Sequence, residues 1–379
     1  MELKTLRPTV KPKDLRQKIL KRYEQRAESP FNYESQLLEK PELLEKIIGG
    51  AIMPPLHFEV LPTEKCNNNC VWCKGGHRDY MVSENELSGQ LMLDLINELA
   101  DYGIEGIVRF SGMSGEPLMN LGTLGAIRRG IDLGLKIGLI NNGTLLTERT
   151  HDYLLGACYV NTSLDASNRD EFNYLKGHTG QVFDRIVENI RNLSEFNRRN
   201  GHLSRIGIGY LLHPKNYKGA FEAARLAGDI GVDILQFKLP LGPFSFFGVN
   251  PLQVEEELKR ASELSREDFK VEIMQSPKER SQELCGNLPK PYFSKCYSQF
   301  LNGVVGADGN VYPCVHYYYQ KGISGEAFGS LYERSFREIW EGKTRKRIMS
   351  QIIPFRDCNF CNRYDHRMNK FIDFIDVRN

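Results

Sequence analysis

The sequence predicts an α/β protein built on a parallel sheet, barrel or doubly wound, with a smaller α+β unit behind it. Three observations predict it. From Leu56 onward, short runs of branched apolar residues alternate with helical patterns. The starts of those runs lie about 25 to 50 residues apart, room for a crossover helix each time. After a charged helical stretch at 253–267 the pattern breaks into Pro-, Gly- and Tyr-rich segments that carry five of the nine cysteines.

Residues 1–50 read as a polar, mainly helical extension interrupted by Pro8, Pro12, Pro30 and Pro41. The expected strands are 56–61 (LHFEVL), 104–111 (IEGIVRFS), 135–141 (LKIGLIN), 159–165 (YVNTSLD), 205–212 (RIGIGYLL) and 233–239 (DILQFKL). Leu87, Leu91, Leu95, Leu99 and Tyr102 recur at helical steps between the first two strands. Val182, Phe183, Ile186, Val187, Ile190, Leu193 and Phe196 do so before the fifth. Both stripes predict core-facing helices. In the last segment Asp308-Gly309 is a hairpin turn flanked by strand-like runs. The boundaries expected are an extension at 1–50, a sheet domain at 51–265 and a small domain at 266–379.

Composition narrows the function. Lys and Arg number 50 against 48 for Asp and Glu, with no long basic run, so nucleic acid is not expected as a partner. The N-terminus is charged throughout, and no stretch approaches the roughly 20 apolar residues of a membrane span, so a cytoplasmic protein without membrane contact is expected. Nine cysteines, odd in number and grouped at short spacings, point to metal or catalysis in a reducing compartment.

Cys66, Cys70 and Cys73 stand in CNNNCVWC directly after the first strand, at what would be the C-terminal face of a barrel. Three thiolates can wrap one metal centre but fall one short of the four of an ordinary 4Fe-4S cluster, leaving one iron open. A structural zinc site with His77 as fourth ligand is the bland alternative. CxxxCxxC with an aromatic before its third cysteine resembles the radical S-adenosylmethionine (SAM) superfamily. The resemblance implies a partial (β/α)6 TIM-like barrel with a small C-terminal α+β auxiliary-cluster domain. It also implies that SAM chelates the open iron and is cleaved to a 5′-deoxyadenosyl radical that abstracts hydrogen. Carried over, Cys66, Cys70 and Cys73 are the ligands of a first 4Fe-4S cluster and Trp72 lies near the adenine. SGEP, comprising Ser114, Gly115, Glu116 and Pro117, resembles the family's GGEP segment with serine for the first glycine. Asn142 and Ser163, at later strand ends beside Asn141 and Asp165, are further cofactor-binding candidates, although Asn141-Asn142-Gly143 is also ordinary turn chemistry.

Cys296, Cys314, Cys358 and Cys361 form two separated pairs, a spacing that suits either zinc or a fully ligated cluster. The segment through FGSLYERSFREIW to CNFC resembles the twitch or truncated SPASM domains of radical SAM enzymes, which bind an auxiliary 4Fe-4S cluster. No cysteine follows Cys361, which implies one auxiliary cluster rather than two. The arrangement is similar to that of 2-deoxy-scyllo-inosamine dehydrogenase-type enzymes, twitch oxidases of a cyclitol alcohol.

A fully ligated second cluster favours electron acceptance, and hence net oxidation. The expected reaction oxidises a carbinol of a small-molecule substrate such as a sugar, aminoglycoside or cyclitol, with flavodoxin or ferredoxin as reducing electron donor. Candidate bases are Lys238, His213, His316 and Tyr317. Two spare cysteines open a radical-epimerase alternative. Cys285, in a Gly- and Pro-bearing loop, is the candidate hydrogen donor, and Cys158 reads as a small core hydrophobe. Modification of a ribosomal peptide is another alternative, and a metal-binding or redox-sensing protein is the non-enzyme one.

Overall fold

The computed structural model describes residues 37, 41–74, 84–112, 115–240, 249–274, 293, 295–319, 326–358, 361 and 363–376. All six expected strands form: β1 (His57–Val60), β2 (Ile107–Phe110), β3 (Lys136–Asn141), β4 (Tyr159–Ser163), β5 (Arg205–Leu211) and β6 (Ile234–Lys238). Each pairs in parallel with the next. A seventh strand, β7 (Lys270–Ile273), extends the series beside β6. Its sequence, KVEI, is half charged and only partly buried, so it lacks the apolar run that marks the other strands.

The crossover helices follow from local sequence. In the helix Gly89–Tyr102, the Ser88 side chain accepts the Leu91 N–H at 3.1 Å, and Gly103 ends the helix at φ 82°. Met92, Leu95, Ile96 and Leu99 form its buried stripe. The helix Val182–Arg199 buries Phe183, Ile186, Val187, Ile190 and Leu193, the stripe expected from its periodicity. Among the described residues no helix is long and apolar enough to cross a membrane.

The hairpin around Asp308-Gly309 is present as β8 (Asn302–Val305) and β9 (Asn310–Tyr312), with β10 (Gly329–Ser330) beyond them. It is not a separate sheet. β8 runs parallel to β1 in the register His57 to Asn302, so the ten described strands form one sheet, ordered β10-β9-β8-β1-β2-β3-β4-β5-β6-β7. Aromatic rings lock this junction: Phe58 meets Phe336 at 5.0 Å, and Phe336 stacks on Trp340 at 5.5 Å. Gly303 makes room, since a Cβ there would lie 2.6 Å from the Trp340 ring.

Candidate active site

Where β1 ends, the chain bends through Thr63–Lys65 into Cys66. This bend lies against the loop after β2: the Glu116 N–H donates to the Lys65 carbonyl at 2.8 Å. A Cβ on Gly115 would sit 1.8 Å from the Thr63 carbonyl, so only glycine lets the two loops touch. The Glu116 carboxylate accepts the N–H groups of Leu118 at 3.0 Å and Asn142 at 2.7 Å. Burial pushes its pKa up to about 7, against the pull of those two donors. Asn142 in turn donates to Asn67 at 2.7 Å, so the strand-end asparagine holds the loop between Cys66 and Cys70.

Cys66, Cys70, Trp72 and Cys73 border one cavity of about 220 Å³ at the C-terminal ends of the strands. Gly115, Glu116, Asn142, Ser163, Asp165 and Lys238 line the same cavity. Sequence-predicted residues from β1, β2, β3, β4 and β6 are thus brought to one place. His213 is not among the lining residues; its ring stands 6.3 Å from that of Trp72, and its Nδ1 accepts the Lys215 N–H at 3.1 Å. Ser114 and Cys285 lie outside the described residues. Cys158 is half-buried beside Ile107 and Tyr159, in the small apolar setting expected of it.

The site also contains residues that the sequence did not flag. Lys176 is 3% exposed, ion-pairs with Asp165, and holds its ammonium 5.0 Å from the Trp72 ring centre. Burial opposes its charge, but the Asp165 carboxylate and the Cys70 thiol outweigh burial and raise its pKa. The Cys70 thiol is held down at about 6, first by a hydrogen bond with Cys73 and then with help from Lys176. Asp165 adopts φ 59°, in the left-handed region, pinned there by Leu211 N–H to its carboxylate at 2.5 Å and by Asn216 to its carbonyl at 2.8 Å.

Beneath the cavity the barrel interior is polar. Glu59 pairs with Arg109 at 2.6 Å and accepts from Ser111; Asn161 donates to Gln236 at 3.2 Å, and Gln236 to Glu272 at 2.7 Å. Gly209 stands where a Cβ would come 3.3 Å from the Lys238 ammonium. The signal was a charge or amide at the inward-facing position of an otherwise apolar strand, as in HFEV and IVRF.

At the other end of the sheet, Cys296, Cys314, Cys358 and Cys361 lie within electrostatic reach of one another, and the first residues of the helix Arg363–Asp376 adjoin Cys296, Cys314 and Cys361. Asn369 on that helix accepts the N–H groups of Tyr297 at 2.5 Å and Ser298 at 2.9 Å, and its amide faces the Cys296 sulfur at 3.9 Å. Burial pushes the Cys314 and Cys361 thiols up, and Asp365 and the neighbouring cysteines push them further. His316 is buried on the turn that follows Cys314.

Both donor sets suit iron–sulfur centres. At the rear site burial and neighbouring charges oppose ionisation of all four thiols, which need a positive centre to become ligands. At the front Cys73 is pushed up while Cys70 is already held down. The three front cysteines converge on a cavity that leaves space for a further ligand. Among the described residues, no three His, Cys, Asp or Glu side chains are drawn up around a single-ion point.

Residues 60–227 match the Radical SAM superfamily, and residues 296–363 match the SPASM iron-sulfur cluster-binding domain. The chain therefore carries a radical SAM domain followed by a SPASM domain, and its cofactors are SAM and two 4Fe-4S clusters. It is 24% identical over 335 residues to a tungsten-containing aldehyde ferredoxin oxidoreductase cofactor-modifying protein of Pyrococcus furiosus, spanning 83% of this chain and 88% of the relative. It is 26% identical over 305 residues to the AdoMet-dependent heme synthase of Methanosarcina barkeri, spanning 74% and 80%. The structure of Streptococcus suis SuiB bound to S-adenosylmethionine superposes with a TM-score of 0.61 at 13% identity, over 88% of this chain and 79% of that one, a likeness of fold.

Proposed function

We propose that the chain is a cytoplasmic radical SAM oxidase of a carbinol in a hydroxylated small molecule such as a sugar, aminoglycoside or cyclitol. Cys66, Cys70 and Cys73 would hold the SAM-binding cluster, and Cys296, Cys314, Cys358 and Cys361 would hold the auxiliary cluster, whose chemistry there would be to take up one electron. SAM at a reduced three-thiolate cluster supplies a radical that removes a hydrogen atom from carbon. Gly115 and Glu116 shape the cofactor side of the cavity, with Asn142 fixing the cysteine loop and Ser163 and Trp72 bordering it. Lys238, on the substrate side of the cavity, would take the hydroxyl proton as general base. A small flavodoxin- or ferredoxin-type carrier is the reductant.

The observation that supports this reading is the polar wall of the cavity. A barrel core of stacked aliphatic residues would suit an apolar ligand. Ser163, Asp165 and Lys238, which line the cavity itself, instead offer hydrogen bonds to hydroxyl groups. The test is anaerobic reconstitution with SAM and dithionite, followed by carbinol-deuterated polyols. Deuterium in 5′-deoxyadenosine, together with a ketone product, is expected; 5′-deoxyadenosine formed without deuterium from any of them would count against it. A second reading has support of its own, because the two relatives described above are named as a cofactor-modifying protein and a heme synthase. In that case a cofactor or its precursor would transfer the label, and polyols would not.

A further inference from the structure

We infer that Asp365 sets the reduction potential of the auxiliary cluster by holding a buried negative charge beside its cysteines. The inference rests on the proposed assignment of Cys296, Cys314, Cys358 and Cys361 as ligands. Asp365 lies one helical turn beyond Cys361, in the first turn of the helix Arg363–Asp376. An acidic residue there is ordinarily a solvated partner of the helix dipole. This one is 4% exposed. Its carboxylate accepts the Asn302 amide at 2.5 Å, so a strand of the main sheet fixes its position. Asp365 and Cys314 border a common small cavity of about 40 Å³, which reaches Glu59 and Arg109 on the barrel side.

The consequence is electrostatic. Adding an electron to a tetrathiolate cluster increases negative charge in a site shielded from water, and a fixed carboxylate alongside opposes it. Asp365 thus keeps the auxiliary potential low, so that an electron accepted from substrate is readily given up again to a one-electron carrier. It is a positioning residue for charge, not a ligand.

The experiment is an EPR-monitored redox titration of the reconstituted full chain, in a background of Cys66→Ala, Cys70→Ala and Cys73→Ala that leaves only the auxiliary cluster. Asp365→Asn, which keeps an oxygen for the Asn302 amide, should shift the midpoint positive by at least a tenfold change in the reduction equilibrium, 59 mV for one electron. Asp365→Ser should move it the same way, and Asn302→Ala, which leaves the charge in place, should move it much less. An unmoved or more negative midpoint in a variant with full iron content would overturn the inference. Loss of the cluster from both Asp365 variants would also overturn it, making Asp365 a structural support or a ligand. If the parent background takes up no iron, the failure belongs to the ligand assignment instead.

Discussion

Glu116 shows how much of the site is decided by one side chain. Its two carboxylate oxygens accept two separate backbone N–H groups, and burial raises its pKa from 4.5 to about 7. The folded chain therefore binds this proton more tightly than the unfolded chain does. The resulting stability is fully present below the unfolded pKa and is lost as pH rises through about 7. In the cofactor-free protein, the stability difference between wild type and Glu116→Gln should fall by about 2–3 kcal/mol between roughly pH 5 and pH 8, measured by urea denaturation. Lys176 supplies a second case. Replacing it by Met leaves Asp165 buried without its counter-ion, which should cost about 3–5 kcal/mol. The double variant Lys176→Met/Asp165→Asn should recover most of that loss, because asparagine tolerates the left-handed backbone at 165. At this scale the sequence showed the cysteines, Glu116, Asn142 and Asp165, which sit at strand ends or in a spaced motif. It could not show Lys176, because a lysine on an amphipathic helix reads as solvated until its partner on another strand end is known.

Elements were legible where their signals were local. The six strand runs and the stripe of Val182–Arg199 stand where periodicity put them, since each is written within one segment, whereas Gly89–Tyr102 buries Met92 and Ile96 beside Leu95 and Leu99 and leaves the expected Leu91 and Tyr102 half-buried. What was not legible was pairing at a distance: nothing in NGVV announces that it adds in parallel to HFEV. The C-terminal helix is a similar case, held by polar contacts to a segment far away in sequence. Asn369 is wholly buried, and its side-chain oxygen serves the N–H groups of both Tyr297 and Ser298. Asn369→Ala leaves two buried donors unmatched, at about 1–3 kcal/mol each, within the segment that carries Cys296. The helix should loosen there before the barrel does. Iron analysis of the reconstituted variant is expected to show close to half the wild-type content, while SAM still perturbs the EPR signal of the remaining cluster.

For the whole molecule, the sequence suggested a barrel domain and a small cluster domain, and because one described sheet runs through both, they are expected to unfold together. β8 closes against β1 over four residue pairs, and the Phe58–Phe336–Trp340 cluster spans the junction. The Tyr318 hydroxyl donates to Glu64 at 2.5 Å, tying the turn after Cys314 to the approach to Cys66. Removing the C-terminal part would bare the β1 edge and an aromatic face, both liabilities for an isolated barrel. Two independent domains would instead unfold in separate steps. The chain has two tryptophans, Trp72 beside the front cysteines and the fully buried Trp340 at the junction. In a Trp72→Phe variant the fluorescence therefore reports the junction alone, while far-UV circular dichroism is dominated by the barrel helices. The two signals should lose structure at the same denaturant concentration, because opening the junction exposes the edge strand on which the barrel sheet begins. Fluorescence loss at clearly lower denaturant, with the dichroism intact, would show that the cluster-bearing segment detaches from a barrel stable without it.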